Sequence, residues 1–221
     1  MKLLRYLHYY FYLIHNWDLS VANHIIEQEI TGEKKYGINT TGTDTLKHLR
    51  LKGIDTEHAT IYMPLSYDLL EEIFEHIDTK AVHHFLDIGC GKGRVMCVAA
   101  HYGIKNLTGI DFSKKLCRQA EKNLDATWKQ FPAIIYHVIN NDAFYYGIPD
   151  DVDCIFLFNP FDEVIMSGVI EKILKSLDEK PRPLIIVYAN PLYKDLFLNE
   201  GFKEIYHVKK MVYLEASILQ N

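Results

Sequence analysis

Ten residues, Phe85 to Arg94, read F-L-D-I-G-C-G-K-G-R, an apolar run that ends in Asp87 and passes into three alternating glycines. Glycine adopts positive φ at little cost and leaves no Cβ between the backbone and a ligand. The stretch 95–102 that follows is apolar and has no helix breaker, and the N-terminus of a helix carries partial positive charge. The pattern predicts a strand, a loop whose N–H groups receive a nucleotide-like ligand, and a helix.

The spacing of the glycines separates two kinds of nucleotide site. A dinucleotide fingerprint would place its third glycine at position 94, whereas this chain has Gly93 and then Arg94. A second acid, Asp111, ends the short apolar run N-L-T-G-I-D, 22 positions after Gly89. An acid about 20 residues beyond a glycine loop accepts hydrogen bonds from ribose hydroxyls. We therefore predict a ribose-containing ligand other than a dinucleotide, with Asp111 on its ribose.

The elements that must position these residues alternate along the chain. Strand-like runs are predicted at 82–87, 106–111, 133–139, 153–158 and 183–189, and helical stretches between and after them at 94–102, 113–128, 161–177 and 191–199. This rhythm predicts a Rossmann-like, doubly wound α/β fold with a mostly parallel sheet. The runs 202–207 and 211–218 predict a C-terminal antiparallel hairpin, which makes the sheet seven-stranded.

The first third of the chain has a different pattern. We predict helices at 1–17, 18–30 and 65–77, and a loop-rich cap over 31–60 that four glycines interrupt. The predicted domains are an N-terminal helical extension and cap over 1–78 and a second domain over 79–221.

The N-terminal helix carries apolar residues at helical spacing. Leu4, Leu7, Phe11 and Ile14 fall on one face, which we expect to dock on the domain or on a second subunit as a homodimer. The twelve uncharged residues 6–17 are too few to span a bilayer, and no signal-peptide cleavage site follows. A membrane-surface anchor is the less favoured alternative because such helices usually carry more Lys and Arg.

Composition excludes several classes of protein. The 221 residues are 48% hydrophobic and 24% charged, as in an ordinary globular protein. The net charge of −5 and the lack of a dense Lys/Arg run argue against binding of duplex DNA, although a local basic groove for RNA stays open. The four cysteines form no C-x-x-C pair and the eleven histidines show no ligand spacing, so we expect neither a structural metal nor disulfides.

The glycine loop, the acid at 111 and the strand order together resemble the class I S-adenosylmethionine (SAM) dependent methyltransferases. The resemblance implies that Asp87 holds the amino-acid end of SAM, that Asp111 holds its ribose, and that Asp142 binds the adenine amino group. An Asx turn is the alternative role of Asp142. The expected cofactor-binding residues are Asp87, Gly89, Cys90, Gly91, Gly93, Asp111, Phe112, Asp142, Ala143 and Asn159.

Two cations at the start of the helix oppose its dipole, and an anionic group should therefore lie near them. For Lys92 and Arg94 we expect ion pairs with Asp87, Asp111 or Asp142, in preference to the carboxylate of SAM.

The segment Asn159-Pro160-Phe161-Asp162 resembles the Asn-Pro-Pro-aromatic segment of enzymes that methylate planar amide or exocyclic nitrogens, with one proline fewer. Because one proline is missing, the aromatic ring is displaced relative to the Asn side chain. The resemblance therefore does not imply that this chain shares the substrate of those enzymes. An ordinary helix start, with Asn159 as N-cap and Pro160 in the first position, is the alternative. Expected catalytic residues are Asn159, Pro160, Phe161, Asp162 and Tyr62, with Asp162, Glu163 or Tyr62 as the base where one is needed.

Further segments resemble a group of bacterial methyltransferase-domain proteins of largely unassigned substrate. They are L-F-N-P-F, V-Y-A-N-P, Y-G-I-N-T-T-G and Y-M-P, and the similar region runs from Tyr36 to Phe202. We expect Tyr62 and the Thr40-Thr41-Gly42 turn either to close a cap over the cofactor or to pack as part of an N-terminal arm. The sequence predicts a cytoplasmic methyltransferase whose acceptor is a protein side chain, an RNA or a small molecule. A non-catalytic SAM-binding interaction protein and an NAD-dependent oxidoreductase are the alternatives.

Overall fold

A computed structural model describes residues 2–44, 62–158, 162–211 and 214–221. Its sheet contains β1 (Phe85–Ile88), β2 (Asn106–Asp111), β3 (Ile135–Asn140), β4 (Cys154–Phe158), β5 (Ile185–Ala189), β6 (Lys203–Met211) and β7 (Leu214–Gln220). The spatial order is β3-β2-β1-β4-β5-β7-β6. The first five strands are parallel, and β7 runs antiparallel to both β5 and β6. The predicted seven-stranded, mostly parallel sheet with a C-terminal hairpin is confirmed.

The described helices are α1 (Lys2–Asn16), α2 (Leu19–Tyr36), α3 (Tyr67–Glu75), α4 (Arg94–His101), α5 (Lys114–Gln130), α6 (Glu163–Glu179) and α7 (Lys194–Asn199). Helix α2 continues through Tyr36 and ends where Gly37 adopts a left-handed φ of 68°. The prediction of a loop from residue 31 is therefore wrong, since Gly32 does not interrupt the helix. The part of the predicted cap at 45–61 lies outside the described residues.

Both faces of the sheet are covered by apolar side chains, as in other parallel sheets. Phe85 packs in one cluster with Phe74 of α3 and residues of α4, whereas Leu86 packs on the opposite side with Ile170 of α6. Helix α3 thus contributes to the same core as the strands, and a domain boundary after residue 78 stays a prediction.

Helix α1 docks on α2 mainly through Tyr9 and Leu13, and of the four predicted residues only Ile14 packs in this contact, where it is partly buried. Tyr9 and Leu13 are 1% and 0% exposed and pack with residues of α2, whereas Leu4, Leu7 and Phe11 are exposed. The periodicity of Leu and Ile alone was misleading here because a tyrosine provides much of the buried surface. Within the described residues, no helix combines the length and hydrophobicity needed to cross a bilayer.

Candidate functional site

The site is built at the place where the strand order changes direction. From β1, the chain proceeds to β2 and β3 on one side, whereas β4 and β5 lie on the other. Open α/β sheets bind ligands at the carboxyl ends of their strands at such a switch point. The loop 89–93 leaves β1 at this point, and the ends of β2, β3 and β4 lie beside it.

The three glycines of the loop adopt the conformation that requires glycine. Gly89, Gly91 and Gly93 have φ values of 83°, 54° and 76°, all in the left-handed region. Space is restricted as well: a Cβ at Gly93 would lie 3.1 Å from the Cβ of Ala120 on α5. A side chain at any of the three positions would therefore be strained.

The N–H groups of the loop bond to the protein, contrary to the expectation that a ligand receives them. Gly89 and Cys90 both donate to the carbonyl of Ile110 (2.9 Å each), and Gly93 donates to the carbonyl of Cys90 (2.8 Å). Gly91 donates to Oδ2 of Asp111 at 2.9 Å. The end of β2 therefore holds the loop in shape.

Two buried carboxyl groups flank the loop. Asp87 is 2% exposed, and its Oδ2 has no hydrogen-bond partner among the described residues. Burial, followed by the charge of Asp111, raises the pKa of Asp87 well above its ordinary value. Buried polar atoms are rarely left unpartnered. A ligand that brings an N–H donor or a positive charge would satisfy this oxygen.

Asp111 is held more firmly. It is 7% exposed, its Oδ1 accepts the N–H of Ser113 at 2.8 Å, and its Oδ2 accepts that of Gly91. Burial raises its pKa to about 6, although the two backbone hydrogen bonds act in the opposite direction. A carboxylate oxygen has more than one acceptor site, so hydroxyl donors can still bind here.

The remaining expected cofactor residues follow the ends of β2 and β3. Asp142 is exposed, and its Oδ1 accepts the N–H of Phe144 at 2.9 Å, which is the Asx turn considered as an alternative. Ala143 is buried, and Phe112 is half-buried with its carbonyl bonded to the side chain of Asn140.

Cys90 is a small residue packed into the core of the loop. It is buried, and burial followed by the charge of Asp111 raises the pKa of its thiol well above the ordinary value. A thiol in this state is a poor nucleophile. The residue fits the loop because of its size.

Arg94 is paired with a residue that local reasoning did not identify. Its Nη1 and Nη2 donate to Oε1 and Oε2 of Glu29 on α2 at 2.6 and 2.5 Å, and its Nε donates to Thr40 Oγ1 at 2.8 Å. The prediction that Arg94 pairs with Asp87, Asp111 or Asp142 is therefore wrong. Glu29 lies 65 positions earlier, and no signal near the glycine loop points to it.

Both ends of this ion pair are buried, with Glu29 0% and Arg94 3% exposed. Burial alone would lower the pKa of Arg94, but the charge of Glu29 raises it above the ordinary value. Nη1 also donates to the carbonyl of Leu65 at 2.6 Å. One guanidinium thus joins α2, the turn at Thr40 and the segment before α3 to the start of α4.

Lys92 binds carbonyl oxygens in place of the expected carboxylate. Its Nζ donates to the carbonyls of Thr41 (2.8 Å) and Thr40 (3.3 Å), and it lies 4.8 Å from the centroid of the Tyr62 ring. Burial, followed by the charges of Arg5 and Arg94, lowers its pKa to about 8.

A second buried acid, Glu33, holds the same turn against α2. Its Oε1 accepts the N–H groups of Thr40 and Thr41 at 2.7 and 2.8 Å, and its Oε2 accepts the hydroxyl of Tyr6 at 2.7 Å. Arg5 of α1 donates to the same Oε2. Helices α1 and α2 and the turn therefore form one unit. From here on the cap means this unit (residues 2–44) and not the predicted segment 31–60. Ion pairs and hydrogen bonds fasten the cap to the glycine loop.

The ring of Tyr62 packs on the glycine loop, and its closing over a cofactor stays a prediction. A Cβ at Gly91 would lie 2.3 Å from Cε2 of its ring, so only glycine leaves room for the tyrosine. The hydroxyl donates to the carbonyl of Thr40 at 2.8 Å, and burial raises its pKa well above the ordinary value. A phenol in this state keeps its proton and is a poor general base.

The segment Asn159 to Phe161 lies outside the described residues, but the helix after it is described. Helix α6 begins at Glu163, and its N-cap is Asp162, whose side chain accepts the N–H of Ile165 at 3.1 Å. The predicted helix start, with Asn159 as the N-cap, is therefore wrong because Asp162 performs that function.

The chain has a second Asn-Pro pair, Asn190-Pro191, after β5, and it does not cap a helix either. Asn190 has a left-handed φ of 48° and donates its N–H to the carbonyl of Glu215 at 2.7 Å, whereas α7 begins at Lys194.

In the part of the chain that the structure describes, no group of three or more His, Cys, Asp or Glu side chains is arranged to hold a metal ion.

Comparison with known proteins adds a family and a fold. Residues 85–180 match the model of a methyltransferase domain. No curated protein matches the sequence. The structure is similar to that of magnesium protoporphyrin IX methyltransferase from Synechocystis PCC 6803 with bound SAM, with a TM-score of 0.52 and 16% identity over 69% of this chain and 77% of that one.

Two further solved structures carry the same fold. A Haemophilus influenzae protein described as a methylase has a TM-score of 0.52 and 19% identity, covering 72% of this chain and 90% of that one. An Escherichia coli protein described as a methyltransferase has a TM-score of 0.52 and 15% identity, covering 71% of this chain and 87% of that one. Residues 85–180, which include the glycine loop and the first four strands, therefore match the sequence model of a methyltransferase domain, and the sheet has the fold of these solved structures.

Proposed function

We propose that the chain binds SAM between Asp87, Asp111 and the glycine loop and transfers its methyl group to an acceptor beside the end of β4. The observation that carries this proposal is the buried Oδ2 of Asp87, which has no partner among the described residues. The ammonium group of SAM is the donor that fits it. The two ribose hydroxyls suit Asp111. The exposed carboxylate of Asp142 suits the adenine amino group; Ala143 is next to it in the chain, and Phe112 follows the neighbouring strand.

The chain contributes mainly positioning to the reaction. SAM supplies a methyl group activated by its sulfonium, and the carbon–sulfur bond breaks as the acceptor atom bonds to that carbon. Alignment of the two centres and exclusion of water account for most of the acceleration in such a site. Tyr62 and the cap exclude water from the glycine loop, because the Tyr62 ring lies on Gly91 and its hydroxyl is bonded to Thr40.

The acceptor side of the site is assigned to Asn159, Pro160, Phe161 and Asp162. The support is that β4 ends at Phe158, next to β1, and that Asp162 itself caps α6, so capping gives no role to Asn159. An acceptor that loses a proton on methylation passes it to water or to Asp162 or Glu163. Tyr62 is left out of this role because its phenol keeps its proton.

Titration calorimetry with SAM and S-adenosylhomocysteine tests the proposal. We expect both to bind, and Asp87→Asn to weaken SAM binding roughly 10- to 150-fold, because a hydrogen bond to a charged group contributes about 1.5–3 kcal/mol. The matched control is Asp178→Asn, which removes an exposed carboxylate from α6. If neither compound binds the folded protein, the function is wrong. If Asp87→Asn behaves as the control does, the assignment of Asp87 is wrong.

A second candidate is a SAM-binding protein that acts through contacts and does not catalyse. It is favoured by the exposed apolar face of α1, where Leu3, Leu4 and Phe11 are 71%, 72% and 66% exposed. Incubation with methyl-labelled SAM and lysate fractions of protein, RNA and small molecules separates the two, since only the enzyme labels an acceptor. Binding of NAD in place of SAM would support the oxidoreductase alternative.

We further propose that the protein is cytoplasmic and that this face of α1 joins two copies as a homodimer. Light scattering coupled to size exclusion tests the dimer. Leu7→Glu should yield monomers, whereas His8→Glu, which changes an exposed neighbour, is the control.

A further inference from the structure

The proposed SAM site is closed in this structure. Asp87 and Asp111 are 2% and 7% exposed, and Oδ2 of Asp87, the oxygen assigned to the ammonium group of SAM, has no surface open to solvent. A ligand reaches such an oxygen only after it has been uncovered. Binding of SAM at this place therefore requires that part of the protein moves first.

The glycine loop is held too firmly to be the moving part. Three of its N–H groups, at positions 89 to 91, bond to the end of β2, as described above. A further contact comes from α5, because Nδ2 of the buried Asn123 donates to the carbonyl of Lys92 at 2.8 Å. These bonds from β2 and α5 keep the loop in shape while the site opens.

The helices of the cap are fastened as well. The buried pair of Glu29 and Arg94 joins α2 to α4, and the carboxylate of Glu33 accepts two N–H groups of the Thr40-Thr41 turn. Movement of the whole cap would break these contacts and leave buried charges without partners, which is costly. A smaller movement must therefore open the site.

The ring of Tyr62 is a cover that a small movement can remove. A Cβ on Gly91 would lie 2.3 Å from its Cε2, so no atom of a cofactor fits between the ring and this α-carbon. The polar contacts of the side chain are a hydrogen bond from its hydroxyl to the carbonyl of Thr40, at 2.8 Å, and the ammonium group of Lys92, 4.8 Å from the ring centroid. The backbone of Tyr62 is paired with Asp44 by hydrogen bonds of 3.0 and 3.1 Å, so the ring leaves Gly91 by rotation of the side chain.

We propose that Tyr62 is an autoinhibitory latch: its ring occupies the face of Gly91 that SAM needs, and SAM binds only after the ring has rotated away. This inference rests on the proposed function. The ring keeps water off the empty loop and gives way to the cofactor.

The latch has a kinetic signature. The hydroxyl bond to Thr40 and the contact with Lys92 stabilise the closed state, so they set the fraction of molecules that is open. A ligand that binds only the open state loses apparent affinity in proportion to that fraction. The latch therefore slows the association of the cofactor and weakens its binding by the same factor. The dissociation rate is not affected, because the latch is already open in the complex.

Surface plasmon resonance with S-adenosylhomocysteine on the immobilised full chain tests the latch, because this compound binds without being consumed. Tyr62→Phe removes the hydroxyl bond and keeps the ring. We expect its association rate constant to rise about 2- to 12-fold, the factor that corresponds to the net contribution of one hydrogen bond. Kd should fall by the same factor, with an unchanged dissociation rate constant. Tyr62→Ala, which removes the ring, should associate at least as fast as Tyr62→Phe.

The matched control is Tyr10→Phe. It also removes a hydroxyl bond within the cap, from Tyr10 to Oδ1 of Asn23 at 2.6 Å, and should leave both rate constants as in the wild type. An equal gain in this control would overturn the inference, because the effect would then come from a general loosening of the cap.

Two results with Tyr62→Phe would also overturn the latch. They are an association rate constant equal to that of the wild type, and faster dissociation, which would mean that the ring closes over the bound ligand. Thermal melting shows whether each variant is folded, and Tyr62→Phe decides the question if Tyr62→Ala does not fold. If S-adenosylhomocysteine binds neither the wild type nor a folded Tyr62 variant, the proposed function is refuted and the latch with it. Binding at wild-type rates in Tyr62→Phe refutes the latch alone.

Discussion

The buried ion pair between Glu29 and Arg94 gives the sharpest prediction about stability. Both side chains are almost fully buried, and two N–O contacts of 2.6 and 2.5 Å join them. Replacing Glu29 by glutamine keeps the shape but leaves the guanidinium without its counter-charge. Loss of one partner of a buried pair costs about 3–5 kcal/mol. In a protein of this size each kcal/mol shifts Tm by about 2–4 °C, so Glu29→Gln should lower Tm by roughly 6–20 °C.

A double-mutant cycle isolates the pair from its surroundings. Glu29→Leu and Arg94→Met should each strongly lower the free energy of unfolding. In the double variant no charge is left unpaired, so its loss should be at least about 2 kcal/mol smaller than the sum of the two single losses. Urea unfolding followed by circular dichroism measures the free energies. Glu27→Gln, at an exposed position two residues earlier on α2, is the control and should change little.

A small effect of Glu29→Gln, within about 1 kcal/mol of Glu27→Gln, would refute the reasoning. So would additive losses in the cycle, since these would mean that the two charges do not stabilise each other. Either result would also remove the argument that this pair fastens the cap to the glycine loop.

Three further predictions concern ionisable groups of the site and core. Because the pKa of Asp111 is raised from 3.8 to about 6, its folded carboxyl keeps a proton that the unfolded chain releases, and its contribution to stability should be lost as pH rises from about 4 to 6. Urea unfolding at several pH values between about 4 and 6 measures the free energy of unfolding. Asp111→Asn should reduce its dependence on pH in this range and should weaken the binding of SAM. An unchanged pH dependence in the variant would contradict the prediction. With an acceptor identified, Tyr62→Phe should transfer methyl groups at a rate within about tenfold of the wild type, because the phenol is not the base. A rate 1,000-fold lower, with a shifted pH profile, would overturn this prediction. The four cysteines are buried, and burial raises the pKa of each thiol. Mass spectrometry after iodoacetamide treatment at pH 7.5 should therefore find them unmodified in the folded protein and alkylated in guanidinium. Fast labelling of the folded protein would disprove their burial.

Local sequence was sufficient for the architecture around β1. Alternating apolar runs and helical stretches specified the parallel sheet and its hairpin, because strand and helix periodicities are properties of short windows. The left-handed glycines at 89, 91 and 93 were foreseeable for the same reason, since only their type and spacing matter. The position of Asp111 followed from its distance along the chain to the loop.

Tertiary structure alone decided which groups meet across the cap. Glu29 reaches Arg94 over 65 positions and Tyr62 lies on Gly91, whereas Leu4, Leu7 and Phe11, which periodicity selected on α1, are exposed. These contacts depend on how α1 and α2 fold back over the carboxyl ends of the strands. Charge type and hydrophobic period indicate that a residue needs a partner, but the partner is selected by packing between segments far apart in the sequence.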